Sequence, residues 1–165
     1  MMTMLDSQQA HEVLESARVA RLGCIVDGQP YIVPINYNFE GGSIYSHSLP
    51  GLKIAGLRKN PRACIQVDNI ESDFRWRSAM AFGTFEEITK PEERADTLNK
   101  LFARFPMLTP VEDAIAGDGY SSEVVVFRIK IDRVTGVSEG WSGIELPKRA
   151  TAILRESQER ACLTT

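Results

Sequence analysis

The chain has 165 residues, of which 43% are hydrophobic and 25% charged, and its formal net charge is -3. This length and composition predict one globular domain with a single core. The slightly acidic balance excludes a general basic surface for nucleic acid, and no apolar run approaches the ~20 residues that a membrane-spanning helix needs. Three scattered cysteines and the absence of a leader pattern at the first residues favour a soluble, cytoplasmic protein.

The first half of the chain predicts a helix followed by two β-hairpins. Apolar residues at i, i+3, i+4 and i+7 indicate a helix that begins at Asp6 or Ser7. Alternating side chains over 18–26 indicate a strand, and Asp27-Gly28 predicts a tight turn because glycine accepts a positive φ. The next predicted elements are a strand over 31–39, a turn over 40–42 and a returning strand over 43–46.

A short helix follows the returning strand. Gly51 opens this helix, and Asn60-Pro61 ends it because the residue before a proline disfavours helical geometry. The start of this helix has unpaired backbone amides and the positive end of the helix dipole, and a hydroxyl-rich turn lies directly before it. This arrangement suits a phosphate group. The side chains expected at this anion site are Ser46, His47, Ser48 and Lys53. A capped surface helix, with Ser48 as the cap, explains the same residues, and spacing alone does not separate the two hypotheses.

The second half predicts further strands and two helices. A strand over 63–68 and a polar connection over 69–73 precede a long strand over 78–88, which Gly83 interrupts as a bulge does. Thr89-Lys90-Pro91-Glu92 predicts a helix start by a capping box with proline in the first turn. This helix should cover one end of the barrel that the strands are expected to form. Its apolar stripe consists of Leu98, Leu101, Phe102 and Phe105. The remaining predictions are a loop over 107–120, a central or interface strand over 123–131, strand and turn over 133–141, and a final helix over 147–161.

This order of elements predicts an α+β domain in which antiparallel strands predominate. Strands that pair with their sequence neighbours form a partly open barrel without a parallel crossover. The pattern of strands alone does not separate a split β-barrel from other small barrels.

Five motifs stand in the order and spacing typical of a known family. They are RLG at 21–23, PYIVPINY at 30–37, IYSHS at 44–48, GLK at 51–53 and LRKNPRAC at 57–64. The chain resembles the pyridoxamine 5'-phosphate oxidase-like flavoproteins, and within them the branch of the nitroimidazole-resistance (Nim) proteins. The resemblance covers roughly residues 10–140. It implies a split β-barrel homodimer with FMN at the subunit interface. The chain is expected to form one domain over 1–165. Its C-terminal helical extension over 147–161 departs from the pattern of typical Nim proteins.

The resemblance also implies which residues contact the flavin. Pro34 requires an edge or irregular position, so the strand around it leaves backbone amides for the polar edge of the ring. Arg77 and Ser78 match an arginine-serine pair that members of the family often show near the flavin phosphate or ring edge. The expected cofactor-binding residues are Pro34, Asn36, Tyr45, Ser46, His47, Ser48, Lys53, Arg77 and Ser78. No catalytic residue and no metal ligand is assigned.

The activity that the resemblance implies is an FMN-dependent oxidoreductase that takes electrons from NAD(P)H and reduces a small electrophilic or nitroaromatic compound. FAD or a deazaflavin in place of FMN would keep the fold. Two alternatives stay open. One is a flavin-binding or sensor dimer without catalysis, and the other is a haem-binding or haem-degrading relative, for which His11 and His47 are the available histidines. The chain lacks the arginine-rich C-terminal motif of true pyridoxamine phosphate oxidases, which argues against oxidation of pyridoxamine 5'-phosphate.

Overall fold

The computed structural model describes residues 2–106 and 124–140, and the predicted loop over 107–120 and final helix over 147–161 lie outside these ranges. The described elements are β1 (Met2–Met4), α1 (Ser7–Ser16), β2 (Val19–Val26), β3 (Gln29–Asn36), β4 (Asn38–Glu40), β5 (Ser43–Ser48), α2 (Leu52–Lys59), β6 (Arg62–Ser72), β7 (Arg75–Glu87), α3 (Pro91–Arg104) and β8 (Val125–Glu139). Within these ranges, no helix has the length and apolar character needed to cross a membrane.

The described strands form one antiparallel sheet with the order β3-β2-β6-β7-β8-β5-β4, and β1 pairs with β8. The two ends of this order adjoin in the chain, because β3 ends at Asn36 and β4 begins at Asn38. The sheet must therefore curl until its edges approach each other, and the Oγ of Ser46 donates to the Asn36 carbonyl at 2.7 Å. The predicted α+β split barrel is confirmed.

Helix α1 packs into the barrel core at the position that the sequence predicts. The Asp6 carboxylate accepts a hydrogen bond from the Gln9 amide at 2.8 Å, and the Gln9 side chain accepts one from the Asp6 amide at 3.1 Å. This reciprocal capping box fixes the first turn. Ala10, Val13 and Leu14 are buried in the main hydrophobic core. Burial of these three apolar side chains attaches the helix to the sheet.

The predicted strand over 31–39 is wrong as a single element. It breaks at Tyr37, and its two parts lie at opposite ends of the sheet order. Tyr37 is completely buried, and its hydroxyl donates to the carbonyl of Leu14 at 2.5 Å. Tyr37 therefore belongs to neither strand, and at this residue the chain crosses from the β3 edge of the sheet to the β4 edge.

The predicted polar connection over 69–73 is also wrong. Strand β6 continues to Ser72, and Asn69 and Ile70 pair with Arg77 and Trp76 of β7. Glu71 forms an ion pair with Arg75 at 2.8 Å across the hairpin end. Polar side chains are compatible with a strand here because the hairpin projects into solvent and the ladder satisfies the backbone.

Helix α3 covers one end of the barrel as predicted, but its start differs. The N-cap is Lys90 and no side chain caps the helix, so the predicted capping box from Thr89 to Glu92 does not form, while Pro91 occupies the first turn. Leu98 and Leu101 are fully buried. The helix packs through a second core cluster that contains Ile88, Leu98, Val124 and Val126.

Strand β8 is the central strand of the sheet. It pairs with β7, β5 and β1, and it runs without interruption through both of the strand segments predicted over 123–131 and 133–141. The register between β7 and β8 shifts between Phe82 and Gly83, which confirms the predicted bulge at Gly83.

The buried hydroxyl of Tyr37 gives a testable contribution to stability. Desolvation raises the pKa of Tyr37 to about 12, against the opposing effect of the Arg104 guanidinium. The unfolded phenol ionises near pH 10, so this group's contribution to stability is present below pH 10 and is lost as the pH rises towards 12. We expect Tyr37→Phe to lower the free energy of unfolding at pH 7 by about 1–2 kcal/mol, the usual value of one buried hydrogen bond.

Urea denaturation at pH 7 and at pH 11 measures this effect. The wild-type protein should lose more stability than the Phe variant between the two pH values. An equal loss in both proteins would contradict the assignment of the raised pKa to Tyr37.

Candidate functional site

The predicted anion-site residues on β5 lie on two faces of the strand. Ser46 and Ser48 are buried, whereas Tyr45 and His47 lie on the side of α3. The Oγ of Ser46 donates to Asn36, and that of Ser48 donates to the carbonyl of Leu49 at 2.7 Å. The ring of His47 meets Phe102 edge-on, with 6.1 Å between the centroids. The structure therefore does not bring the side chains of residues 46–48 to one point.

Helix α2 begins without a side-chain cap. Its N-cap is Gly51, and the hydroxyl of Ser48 is directed to Leu49 instead of to the helix. The hypothesis of a surface helix capped by Ser48 is therefore wrong. Among residues 2–106 and 124–140 no side chain caps the amides of this first turn, and a helix start of this kind favours negative charge.

Gly56 positions α2 against the sheet. Ile54 and Leu57 are fully buried, and a Cβ at Gly56 would lie 2.7 Å from the carbonyl oxygen of Ile25 on β2. Only a residue without a side chain allows the backbone of the helix to approach the strand this closely. The start of α2 is thereby held at a fixed height over β2.

Lys53 lies in the first turn of this helix and is partly buried. Burial lowers the pKa of Lys53, and the nearby Cys24 thiol acts in the opposite direction. Among the described residues no carboxylate forms an ion pair with it, whereas Lys59 at the other end of α2 lies 3.1 Å from Asp27. A partly buried ammonium group without a carboxylate partner, beside an uncapped helix start, suits a phosphate dianion.

A row of polar side chains crosses the exposed face of the sheet, which we call the outer face. The Nη1 of Arg21 donates to Asp68 at 2.8 Å and to Gln66 at 3.2 Å, and Gln66 donates to the Oγ of Ser78 at 3.0 Å. Pro34 is the strand partner of Arg21, so it adjoins this row. The row thus brings two of the predicted residues, Pro34 and Ser78, onto one surface.

Arg77 does not share that surface with Ser78. Consecutive side chains of a strand point to opposite faces, and Arg77 pairs with Asn69 and Ser138. Gln66 and Asp68 were not among the predicted site residues. The signal was present, because Cys64, Gln66 and Asp68 alternate with the buried Ala63, Ile65 and Val67.

Large apolar side chains surround the polar row. Val19 is 54% exposed, and Ile32 and Ile70 are each 67% exposed. Exposed apolar patches of this kind mark surfaces that bind another molecule. The outer face therefore has the character of a binding surface.

Comparison with known proteins identifies the family of this chain. The family model described as pyridoxamine 5'-phosphate oxidase matches residues 6–138, and the chain belongs to that family. The expected family is thus confirmed.

Three relatives illustrate the similarity. An uncharacterized protein of Rhizobium meliloti (strain 1021) is 31% identical over 143 residues, which cover 81% of this chain and 92% of the relative. An FAD-binding protein of Mesorhizobium loti is 29% identical with a TM-score of 0.70, over 85% of this chain and 99% of that one. A proposed 5-nitroimidazole antibiotic resistance protein of Bacteroides thetaiotaomicron is 25% identical with a TM-score of 0.66, over 84% and 89% of the two chains. The Nim-like branch is compatible with these matches.

Proposed function

We propose that the protein binds FMN and acts as an oxidoreductase that transfers electrons from NAD(P)H to a small electrophilic or nitroaromatic compound. The observation that carries this proposal is Lys53, a partly buried ammonium group beside the uncapped start of α2. Membership of the pyridoxamine 5'-phosphate oxidase family supports it. The names of the relatives, one for FAD binding and one for 5-nitroimidazole resistance, support a flavin and a nitro compound respectively.

Five of the nine expected residues are suited to hold the cofactor. Lys53 and the first-turn amides of α2 would bind the phosphate, and Ser46 fixes the carbonyl of Asn36 at the edge where β3 and β5 meet. Pro34 and Ser78 lie on the outer face, where the flavin ring would contact apolar surface. The other four expected residues do not face this site. Tyr45 and His47 face α3, and the hydroxyl of Ser48 donates a hydrogen bond to the carbonyl of Leu49. Arg77 lies on the opposite side of β7 from Ser78.

The bound flavin supplies the redox chemistry, and the protein supplies position, charge and access. The outer face of a single subunit leaves Val19, Ile32 and Ile70 exposed. We propose that a second copy of the chain covers this face in a cytoplasmic homodimer, which would exclude water from the ring. The small-molecule acceptor would then enter beside the flavin.

Absorbance spectroscopy of the purified protein, with and without added FMN or FAD, is the first test. We expect a bound-flavin spectrum with FMN and NADH or NADPH oxidation at least about tenfold faster than with free FMN, measured with a 5-nitroimidazole as acceptor. A protein that binds FMN without this acceleration would be a flavin-binding or sensor protein. A protein that retains no flavin would overturn the proposal, and haem would be titrated next.

The affinity for FMN should depend on pH through Lys53. Because burial lowers the pKa of Lys53, the ammonium group loses its proton at a lower pH than an exposed lysine does. The affinity for FMN should therefore fall as the pH rises through this lowered pKa, while the affinity for riboflavin, which has no phosphate, should stay constant. Fluorescence titrations of FMN and of riboflavin between pH 7 and pH 10 measure the two affinities. If both affinities changed with pH by the same factor, the role assigned to Lys53 would be contradicted.

The stability of the cofactor-free protein should change in the opposite direction. The unfolded chain holds the Lys53 proton more tightly than the folded chain does, since the folded pKa is lowered. The contribution of Lys53 to the free energy of unfolding therefore increases as the pH rises through this window.

A further inference from the structure

The RLG motif at 21–23 contains one residue that core packing does not explain. Leu22 is fully buried in the main hydrophobic core. Gly23 also has a packing reason, because a Cβ there would lie 2.7 Å from the Sγ of Cys64. Arg21 instead projects from the outer face, and 57% of its side chain is exposed. The contacts of Arg21 therefore lie on the surface where the flavin ring is proposed to bind.

Two neighbours hold the guanidinium group of Arg21 in one orientation. Its Nη1 donates to the Oδ2 of Asp68 at 2.8 Å and to the Oε1 of Gln66 at 3.2 Å. Gln66 is itself bonded to Asp68 through its side-chain amide. A guanidinium group is planar and its N–H donors form a rigid fork, so two bonds to one nitrogen fix the direction of the others.

The other donors of the polar row are occupied. The side-chain nitrogen of Gln66 donates to Asp68 and to Ser78, and the hydroxyl of Ser78 donates to the carbonyl of Val67 at 3.3 Å. Within the described part of the chain, the Nε and Nη2 of Arg21 make no hydrogen bond. Arg21 can therefore donate to a ligand on the outer face without breaking a bond inside the protein.

Arg21 also lies at a suitable distance from the proposed phosphate site. It is the strand partner of Pro34, one of the residues suited to contact the ring. Lys53, which would bind the phosphate, lies near the thiol of Cys24, three residues farther along β2. Three residues of a strand span about 10 Å, a separation that the ribityl chain of FMN bridges.

We propose that Arg21 binds the polar, pyrimidine edge of the flavin ring and that its positive charge favours the reduced cofactor. A hydride from NAD(P)H would add two electrons and one proton to the ring, which leaves the nicotinamide oxidised and the polar edge of the ring negatively charged. A positive charge held at that edge stabilises the reduced form more than the oxidised form. Asp68 positions Arg21 and opposes part of its charge. This inference rests on the proposed flavin site and adds to it a residue that sets the redox potential.

Binding and redox measurements on Arg21→Gln test the proposal. Oxidised FMN and riboflavin should both bind about tenfold more weakly, because both ligands contain the ring, whereas Lys53→Met should affect FMN alone. The affinity for reduced FMN should fall by a further factor of about ten. For a two-electron couple this factor corresponds to a potential lower by ~30 mV, which equilibration of the bound flavin with a reference dye at pH 7 measures.

Three further variants make the test specific. Arg21→Lys keeps the positive charge, so the ratio of reduced to oxidised affinity should stay within about threefold of the wild type. Asp68→Asn removes the opposing charge and should move this ratio in favour of reduced FMN. Arg62→Gln is the matched control, because it removes the same charge from an exposed pair with Asp132. Arg62 lies about 13 Å from Gln66 along β6, so its charge is screened and the ratio should stay within about twofold.

The outcomes separate this inference from the proposed function. If the wild-type protein retains no FMN, both fail. If it retains FMN but Arg21→Gln binds both ligands within about twofold of the wild type at an unchanged potential, the role of Arg21 alone is overturned. A variant that loses FMN but keeps riboflavin would also overturn it, because Arg21 would then lie at the phosphate. An ion pair that serves stability only would lower the melting temperature of Arg21→Gln and Asp68→Asn without moving either potential.

Discussion

Replacement of Lys53 with methionine is expected to weaken FMN binding at pH 7 by a factor between about ten and a hundred, which corresponds to the loss of one charge-assisted hydrogen bond. Methionine keeps the length and the apolar stem of lysine, so the packing of α2 on β2 is preserved. Riboflavin binding should stay within about twofold, because riboflavin has the ring of FMN without the phosphate. Isothermal titration with both ligands measures the difference.

The matched control is Lys59→Met at the other end of α2. Lys59 is exposed and paired with Asp27, so its replacement removes one positive charge from the same helix without touching the first turn. We expect FMN affinity within about twofold of the wild type, since exposed charges at this distance are screened. If Lys53→Met weakened the binding of FMN and of riboflavin equally, the flavin ring rather than the phosphate would lie at α2. If the variant weakened the binding of neither ligand, the flavin site would lie elsewhere.

Stability provides a second readout for the same variant. Burial of the Lys53 ammonium costs free energy in the cofactor-free protein, as its lowered pKa indicates. Lys53→Met should therefore melt at the same temperature as the wild type or slightly above it. Weaker FMN binding by a protein of undiminished stability would separate a ligand role of Lys53 from a structural one.

Local signals predicted the bounds of α1 and α2 well. Helix α2 lies between Gly51 and Asn60, and α1 begins after the Asp6 cap, because caps, prolines and apolar periodicity act within a few residues. The turn at Asp27-Gly28 also follows local chemistry, since both residues have positive φ. These features needed no knowledge of the rest of the fold.

The break at Tyr37 could not be predicted in the same way. Its neighbours continue a good strand pattern, and what ends β3 is the burial of the Tyr37 ring and the bond of its hydroxyl to Leu14, 23 residues earlier in the chain. Contacts of this kind form only when α1 and the sheet are assembled. Tertiary packing therefore overrode a local strand propensity.

The prediction of the anion site failed for a different reason. The predicted returning strand ended at Ser46, so the side chains of residues 46–48 were expected to converge on one anion at the turn that followed. Strand β5 instead continues to Ser48, so its side chains alternate between two faces. Lys53 lies in the first turn of α2 as predicted, because local signals at Gly51 and at Asn60-Pro61 set the bounds of that helix. Local alternation shows that Gln66 and Asp68 share one face of β6. It does not place them beside Arg21 and Ser78, because those contacts depend on the register of three strands, which no local pattern gives.

The Gly83→Ala variant is expected to lose about 3 kcal/mol or more of its free energy of unfolding. A Cβ at Gly83 would lie 2.1 Å from the carbonyl oxygen of Lys130 and 2.9 Å from the Cγ2 of Ile129. The obstructing oxygen belongs to the backbone of the central strand β8, so it cannot move aside as a flexible side chain does. Relief of the clash requires separation of β7 from β8 at the bulge.

Urea denaturation of Gly83→Ala beside Gly51→Ala measures the cost of the bulge. In the described part of the chain, no atom beyond its chain neighbours lies within 4 Å of the position of a Cβ at Gly51, and its φ of 178° is extended backbone. This control should therefore lose only the cost of alanine at an N-cap, about 1 kcal/mol or less. The cost at Gly83 should propagate into the core, because Phe85 follows two residues later and contacts Phe127 with 5.4 Å between ring centroids. If Gly83→Ala lost less than about 1 kcal/mol, the two strands would separate at little cost, and the bulge would not be the rigid corner that closes the barrel.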